Sequence, residues 1–221
     1  MNQDDKKRKV AEAALEHIES GQVIGIGTGS TVNELIKLLD KVSSKIDGVV
    51  SSSEESTKLL SEKKLKILEL KDVGQLPIYI DGADESNEHG QLIKGGGGAL
   101  TKEKILANAS EKFICIIDES KLVKKLGIFP LPIETIKMAQ SYVALQLIKI
   151  GGRPIYRENF ITENNNIILD IHNLNINEPI QLEKSINNIP GVVTNGLFAI
   201  RSADKVLVSN GTGIETLDIN V

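Results

Sequence analysis

The sequence predicts an α/β protein: a Rossmann-like parallel sheet flanked by helices, with a second, smaller α+β domain of the ferredoxin-like kind. Two observations predict this class. Short apolar segments alternate with helical segments through the first two-thirds of the 221 residues, and after about Pro130 the order becomes helix–strand–strand–helix–strand. We therefore expect a large domain at 1–128 and 202–221, and a small domain at 129–201 that takes part in oligomerisation.

The large domain is predicted from apolar runs, each bounded by glycine or polar residues. Expected strands are 23–26, 48–50, 65–70, 78–80 and the segment around Cys115, and expected helices are 10–18, the segment after Thr31, 54–63 and 100–109. Open parallel sheets bind ligands outside the carboxyl ends of their strands. The glycine-rich and acidic loops of this sequence all follow such ends, which is the first argument for function.

The small domain is predicted from a shorter and different pattern. We expect a helix from about 134 to 150, strands at 153–160 and 167–171, a helix at 179–187 and a strand at 191–199. A last strand, 205–208, is expected to rejoin the large domain.

Composition excludes several classes of function. The formal net charge is −4, from 30 acidic and 26 basic side chains, which provides no strong field for nucleic acid or an anionic membrane. The single cysteine, Cys115, cannot form an internal disulfide, and no run approaches the roughly 20 apolar residues of a membrane span. We expect a cytoplasmic protein without nucleic-acid or membrane partners.

One cationic cluster, Lys6–Lys9, lies near the N-terminus. We interpret it as the solvated face of a first helix. A minor role near a phosphate is the alternative, and the sequence leaves open whether Lys7 reaches one.

The first motif is the glycine-rich turn Gly25-Ile26-Gly27-Thr28-Gly29-Ser30-Thr31. Backbone N–H groups and the hydroxyls of Thr28, Ser30 and Thr31 can hold a phosphate at a helix N-terminus. The last glycine of a dinucleotide fingerprint would fall at Ser30, and the lysine of a P-loop is missing, so neither NAD nor ATP is favoured. A purely structural tight turn remains the alternative.

The second motif, Asp81-Gly82-Ala83-Asp84-Glu85, follows a strand directly. Carboxylates there are costly unless they face water or bind something. Asp81 and Asp84 can bind sugar hydroxyls, and the alternative is an Asx-turn. We expect no metal site, because the three histidines are scattered and the carboxylates lack the spacing of a calcium loop.

The third motif runs from Lys94 to Lys104 and contains four consecutive glycines, 95–98. Such a run is expensive in backbone entropy and suits a backbone that approaches a ligand closely. Lys94 and Glu103 flank it and can supply an oxyanion stabiliser and a proton acceptor. The alternative is a linker followed by a charged helix face, in which Glu103 is solvated between Lys102 and Lys104.

These motifs, in this order, resemble the type A ribose-5-phosphate isomerases. The blocks that carry the resemblance are GIGTGST at 25–31, SSSEEST at 51–57, YIDGADE at 79–85, KGGGGALTKEK at 94–104, EKFICIIDESK at 111–121, FPLP at 129–132, GGRP at 151–154 and IPGVVTNGLF at 189–198. The resemblance covers nearly the whole chain, although the tail after about Ser202 is less characteristic.

The resemblance implies a cofactor-free aldose–ketose isomerase of the pentose phosphate pathway, most often a homodimer, acting on a small sugar phosphate. It implies that Glu103 is the general base, that Lys94 stabilises the enediolate oxygen, and that Asp81 and Asp84 bind hydroxyls and assist ring opening. The residues implied to line the substrate site are Thr28, Gly29, Ser30, Thr31, Asp81, Gly82, Ala83, Asp84, Lys94, Gly95, Gly96, Gly97 and Lys121.

Two other functions stay open at this point. A non-catalytic sugar-phosphate-sensing module of related fold would keep the phosphate loop but could lose Glu103, which is present here together with Lys94. An acyl-CoA transferase of similar architecture would use a glutamate nucleophile and need a surface for CoA, which this short chain does not obviously offer.

Overall fold

The structure, a computed structural model, describes residues 2–219 and has two compact units. The first unit comprises the chain as far as Ala83, Lys102–Leu122 and the chain from Ala203. The second comprises Asp84–Thr101 and Val123–Ser202. The domain bounds expected from the sequence stay a prediction.

The helices and strands are numbered in chain order. The helices are α1 Gln3–Ala14, α2 Ser30–Leu38, α3 Glu54–Glu62, α4 Leu70–Val73, α5 Leu100–Asn108, α6 Gln140–Lys149 and α7 Pro179–Asn187. The strands are β1 Gln22–Ile26, β2 Ile46–Ser51, β3 Leu76–Asp81, β4 Glu85–Ser86, β5 Leu92–Ile93, β6 Ser110–Asp118, β7 Leu131–Thr135, β8 Arg153–Tyr156, β9 Ile167–His172, β10 Val192–Asn195, β11 Leu197–Phe198, β12 Lys205–Ser209 and β13 Ile214–Asp218.

The first unit is built on a six-stranded sheet in the order β13-β12-β6-β3-β1-β2. The pairs from β12 to β2 are parallel, and β13 adds an antiparallel edge strand that was not expected. Strand side chains such as Ile24, Ile80 and Ile114 pack against Val10 of α1 and Leu35 of α2 in one core. The predicted parallel sheet flanked by helices is confirmed, and β12 rejoins it as expected.

The second unit contains a four-stranded antiparallel sheet in the order β10-β7-β9-β8. Helix α6 connects β7 to β8 and α7 connects β9 to β10, which is the split βαβ arrangement of a ferredoxin-like fold. Val143 and Leu147 of α6 pack with Ile186 of α7 on the strand residues Ile133 and Leu169. A separate three-stranded sheet, β11-β5-β4, also belongs to this unit. The predicted α+β fold class is confirmed.

Two predicted elements were wrong. The expected strand 65–70 is only one parallel bridge, between Val49 and Ile67. Both backbone hydrogen bonds to this segment come from one residue of β2, since the Val49 N–H donates to Lys66 and the Val49 carbonyl accepts from Leu68. The helix expected from about 134 begins only at Gln140, and Glu134 instead lies in the central strand β7. Its buried carboxylate accepts hydrogen bonds from Thr101, Thr162, Asn164 and Asn166, so distant partners stabilise it there.

Among residues 2–219, none of the helices is long and apolar enough to cross a membrane.

Candidate active site

Four loops of the first unit lie at the same edge of its sheet. Strands β1, β2, β3 and β6 run parallel, so their carboxyl ends Ile26, Ser51, Asp81 and Asp118 share that edge. The residues that follow these ends include Thr28–Thr31 and Lys121. The parallel sheet therefore gathers the candidate residues of this unit where open α/β sheets bind ligands.

The first two glycines of the 25–31 motif make room for side chains of the neighbouring strand β3. A Cβ at Gly25 would lie 2.9 Å from Cδ2 of the Tyr79 ring, and a Cβ at Gly27 would overlap the Asp81 carboxylate. Both glycines are required by packing. The structural alternative therefore accounts for this part of the motif.

The third glycine has a different role, because Gly29 has φ +100° and stands at the N-cap of α2. No side chain caps this helix. The first N–H groups of an α-helix lack intrahelical acceptors and carry the positive end of its dipole. The helix begins at Ser30, so the N–H groups of Ser30 and Thr31 are available to an anion.

The serine side chains at the N-cap and in the first turn of α3 hold this turn by hydrogen bonds. Ser53 donates a hydrogen bond from its Oγ to Thr28 Oγ1 at 3.0 Å, and Ser56 donates to the Gly27 carbonyl at 2.7 Å. Ser53 also caps α3 by accepting from the Ser56 N–H. The block SSSEEST thus fixes the position of Thr28, a function that the sequence analysis did not assign to it.

Asp81 is fully buried and is held by hydrogen bonds from its own unit. Its Oδ1 accepts from the Thr28 N–H at 3.1 Å and from the Gly82 N–H at 2.7 Å, and its Oδ2 accepts from the Tyr79 hydroxyl. This carboxylate therefore connects strand β3 to the glycine-rich loop after β1.

Glu103 is also buried, with 3 % of its surface exposed. It lies in the first turn of α5, and its charge, together with burial and the Asp81 charge, raises the pKa of Tyr79 well above its ordinary value. Burial is the largest of these causes. The interpretation of Glu103 as a solvated carboxylate on a charged helix face was therefore wrong.

In the second unit, Asp84 and the tetraglycine segment are in direct contact. Asp84 Oδ2 accepts a hydrogen bond from the Gly96 N–H at 2.8 Å, and a Cβ at Gly96 would lie 2.7 Å from Asp84 Oδ1. Within the second unit, the DGADE and KGGGG motifs therefore contact each other through Asp84 and Gly96.

Lys94 is almost completely buried, with 2 % exposed. Its backbone N–H donates to the Gly196 carbonyl at 2.9 Å, which ties it to the three-stranded sheet. Its ammonium lies 5.7 Å from the centroid of the Phe198 ring.

Lys121 ends a short 3₁₀ segment, Glu119–Lys121, directly after β6. Asp118 caps this segment by accepting from the Ser120 N–H at 2.9 Å. The neighbouring Glu119 pairs with Lys6 of α1 at 2.5 Å, so part of the N-terminal cationic cluster lies beside this loop.

Sequence analysis missed Tyr79 and Ser53 of these networks, and it missed Arg157, whose guanidinium donates to the Gly96 carbonyl at 3.0 Å. Tyr79 was read only as a strand residue, Ser53 only as part of a loop, and Arg157 only as part of a strand. Tyr79 alternates with Asp81 on β3, and this two-residue spacing on one face was the available signal. Arg157 gave no such signal, since its partners lie far away in sequence.

Comparison with known proteins identifies the family. The family model for ribose 5-phosphate isomerase A (phosphoriboisomerase A) matches residues 48–213. The ribose-5-phosphate isomerase A of Legionella pneumophila (strain Lens) is 56 % identical over 211 residues, covering 96 % of this chain and 98 % of the relative. The chain belongs to the ribose 5-phosphate isomerase A family.

Solved structures of this family share the whole fold. The crystal structure of ribose 5 phosphate isomerase A from Neisseria gonorrhoeae superposes with a TM-score of 0.97 at 46 % identity, covering 98 % of this chain and 97 % of that one. A D-ribose-5-phosphate isomerase in complex with phospho-erythronic acid gives a TM-score of 0.94 at 37 % identity, covering 99 % and 100 %. Both units of this chain are therefore family features.

Proposed function

We propose that Glu103 and Lys94 carry out the proton transfer and the charge stabilisation of the family reaction. The chain is an aldose–ketose isomerase that interconverts D-ribose 5-phosphate and D-ribulose 5-phosphate, a reaction of the non-oxidative pentose phosphate pathway. The observation that carries the residue assignment is the burial of Glu103 near Tyr79 and of Lys94 beside Phe198. A buried carboxylate and a buried ammonium within these two motifs are candidates for the acid–base and charge-stabilising groups of an active site.

Glu103 and Lys94 each have one role in the reaction. In the open-chain aldose, the Glu103 carboxylate removes the proton from C2, and the electrons of the C–H bond move toward the C1 carbonyl to form an enediolate. The proton of the C2 hydroxyl then moves to the C1 oxygen, which leaves the negative charge on the C2 oxygen. The electrons of that oxygen form the C2 carbonyl while the electrons of the C1–C2 double bond take the proton back from Glu103 at C1, and the product is the ketose. Lys94 stabilises the developing negative charge, a contribution typically of about 3–4 kcal/mol for one well-placed donor.

The substrate is held by the remaining candidates. The N-terminus of α2, with Gly29, Ser30 and Thr31, suits the phosphate, and Thr28 adds its hydroxyl. Lys121, at the same sheet edge, adds a positive charge. Remote binding energy of this kind keeps the reacting carbons in place.

Asp81, Asp84 and the glycine segment bind the sugar part of the substrate. Asp84 and the backbone of Gly95–Gly97, with Gly82 and Ala83, line the sugar chain. Asp81, whose oxygens accept hydrogen bonds from Thr28, Gly82 and Tyr79, orients the Thr28 loop and takes part in binding the sugar hydroxyls. Together with Asp84 it assists opening of the furanose ring.

A direct assay tests the function. Purified protein is incubated with ribose 5-phosphate, and ribulose 5-phosphate is measured by chromatography. We expect turnover, and we expect activity to survive exhaustive chelation because the oxyanion partner is Lys94 rather than a metal. A non-catalytic sugar-phosphate-sensing module would bind the sugar phosphate without converting it. The named relatives, which are isomerases, favour the enzyme.

We also propose that the chain is a cytoplasmic homodimer that associates through its second unit. Met138, Tyr142 and Leu145 follow one another at intervals of four and three residues and are all exposed, Met138 at 94 %. Met138 lies in the 3₁₀ turn just before α6, whereas Tyr142 and Leu145 lie on α6, whose Val143 and Leu147 are buried in the core. An exposed apolar stripe opposite a buried one fits a second copy of the chain.

Light scattering tests this assembly. We expect about twice the protomer mass of 24.0 kDa, and Leu145→Glu is expected to shift the mass toward that of one protomer. Lys149→Glu, a charge change on the same helix, provides the control. A mass of one protomer for the parent chain at working concentration contradicts the dimer.

A further inference from the structure

The guanidinium of Arg157 holds the tetraglycine segment by its carbonyl oxygens. Arg157 Nη1 donates to the Gly96 carbonyl at 3.0 Å and to the Gly95 carbonyl at 3.4 Å. The other side of the guanidinium is fixed by Asp170, which accepts from Nε at 2.8 Å and from Nη2 at 2.5 Å. The Arg157 and Asp170 side chains are each 18 % exposed, so this pair is mostly desolvated.

Phe160 completes the contact with the segment. Its ring lies 5.3 Å from Arg157 Cζ, and a Cβ at Gly98 would overlap it. Arg157 and Phe160 therefore contact carbonyls at one end of the glycine run and the α-carbon at the other. Four glycines can sample many backbone conformations, and these contacts add to the turn hydrogen bond that the Gly98 N–H donates to the Gly95 carbonyl at 2.9 Å.

The orientation of two peptide units follows from these contacts. In a trans peptide the N–H points opposite to the preceding C=O. The Gly95 carbonyl faces Arg157 while the Gly96 N–H donates to Asp84 at 2.8 Å on the opposite side. The Gly96 carbonyl also faces Arg157, so the Gly97 N–H points to that same opposite side. Within residues 2–219, the Gly97 N–H donates no hydrogen bond to another group.

We propose that Arg157 is a positioning residue for isomerisation: it aims the Gly97 N–H at the side of the segment where Asp84 lies, for use by a substrate oxygen. This inference rests on the proposed role of Gly95–Gly97 in lining the sugar. The charge of Arg157 also polarises the Gly96–Gly97 peptide unit, which strengthens the Gly97 N–H as a donor. Arg157 itself touches no reacting atom.

The effect is largest where negative charge develops. A neutral hydroxyl gains little from a more polar N–H, whereas an enediolate oxygen gains more. Arg157 is therefore expected to act mainly on the transition state and to leave the ground-state affinity for the sugar phosphate almost unchanged. A residue that only stabilised the fold would not separate these two quantities.

The test compares Arg157→Gln and Arg157→Lys with Arg153→Gln, which alters an exposed arginine of strand β8. Four quantities are measured for each variant: kcat and KM for ribose 5-phosphate, inhibition by inorganic phosphate, and the dissociation constant of phospho-erythronic acid. The carboxylate of this acid places negative charge at the end of the sugar chain, as an enediolate does. Light scattering checks that the assembly is unchanged.

For Arg157→Gln we expect kcat to fall by roughly 10- to 100-fold, as for loss of one charge-assisted hydrogen bond. KM and the inhibition by phosphate should stay within about threefold, while phospho-erythronic acid binds at least about tenfold more weakly. Arg157→Lys restores charge without the paired contacts to Asp170 and should recover part of kcat. Asp170→Asn, which keeps Arg157, should give a smaller loss in the same direction and replaces Arg157→Gln if that variant does not fold.

Two outcomes overturn the inference. In the first, kcat of Arg157→Gln matches that of Arg153→Gln. In the second, kcat, phosphate inhibition and analogue binding all weaken by the same factor, which indicates a general structural role. If the parent chain itself does not convert ribose 5-phosphate, the proposed function fails instead.

Discussion

The Tyr79 hydroxyl donates a hydrogen bond to the Asp81 carboxylate, and both side chains are fully buried. The two residues lie on one face of β3, and Gly25 of β1 and Gly27 just after that strand leave room for them. The Tyr79 ring stacks on Phe113 at 5.1 Å between centroids. Tyr79 therefore connects the apolar core to the carboxylate that holds the Thr28 loop.

Replacing Tyr79 by phenylalanine should destabilise the fold and weaken phosphate binding. The variant keeps the ring but removes a donor to a buried carboxylate, which costs about 1.5–3 kcal/mol of unfolding free energy. The Asp81 carboxylate is then less firmly oriented, so the Thr28 loop shifts and KM rises. Urea denaturation and steady-state kinetics measure the two effects. Tyr156→Phe, an exposed tyrosine of β8, is the control, and equal behaviour of the two variants contradicts this role.

Gly97→Ala should leave the stability of the fold unchanged or slightly raised while it weakens substrate binding. A Cβ at Gly97 meets nothing within 4 Å, and its φ lies outside the left-handed region. The fold should therefore tolerate alanine, with stability unchanged or raised by about 0.4–1 kcal/mol through a less flexible unfolded chain. If the segment lines the substrate, the new methyl group meets the sugar and KM rises.

Gly211→Ala is the matched control, because a Cβ there also meets nothing within 4 Å. Thermal denaturation and kinetics of both variants give the comparison. If KM of Gly97→Ala equals that of the parent, the glycine segment does not line the substrate site.

The sequence predicted where several candidate residues lie better than it predicted the contacts that fix them. Motif position after parallel strands was enough to place Thr28–Thr31 and Asp81 at one edge. Glu134 and Arg157 could not be recognised, since Glu134 is bound by Thr101 and by the 162–166 turn, and Arg157 reaches Gly96 across 61 positions. Such contacts depend on the tertiary fold, and no local pattern or propensity carries them.

The sequence pattern also could not distinguish the structural roles of the individual glycines. Gly25, Gly27 and Gly29 look alike in sequence, yet the first two give space to Tyr79 and Asp81, and only Gly29 needs a positive φ. Spacing alone cannot separate these causes, because the neighbouring strand that fills the space is about 50 residues away.

His17 should make stability depend on pH. Burial lowers its pKa in the folded state, and Lys205 and Lys112 lower it further. The unfolded chain, with a pKa of about 6.5, then binds the proton more readily. This contribution to stability is present above about pH 6.5 and is lost as the pH falls through the folded pKa.

The measurement is the urea midpoint at about pH 7.5 and about pH 5.5. His17→Gln should reduce the difference between the two midpoints, because the variant has no group to protonate. His89→Gln, which changes an exposed histidine, is compared in parallel. A His17→Gln variant with the parent difference would show that His17 does not contribute.

Glu103→Gln tests the proposed base directly. Glutamine keeps the size and hydrogen-bonding reach of glutamate but has no useful proton affinity. General-base assistance is worth roughly 10²–10⁴-fold, so turnover should fall by at least about that factor. Binding of inorganic phosphate should change little, since Gly29–Thr31 are untouched. Glu62→Gln, an exposed carboxylate at the end of α3, should behave as the parent.

Isotope exchange separates the proton-transfer step from the others. Ribose 5-phosphate deuterated at C2 is incubated with each protein, and release of deuterium to solvent is followed with time. The parent should release label as the base exchanges its proton, whereas Glu103→Gln should release it at least about 10²-fold more slowly. Lys94→Ala should slow exchange as well, because the enediolate loses its stabilising charge, but it should also weaken binding of phospho-erythronic acid. If Glu103→Gln exchanges label at the parent rate, another group removes the C2 proton and Glu103 is not the base.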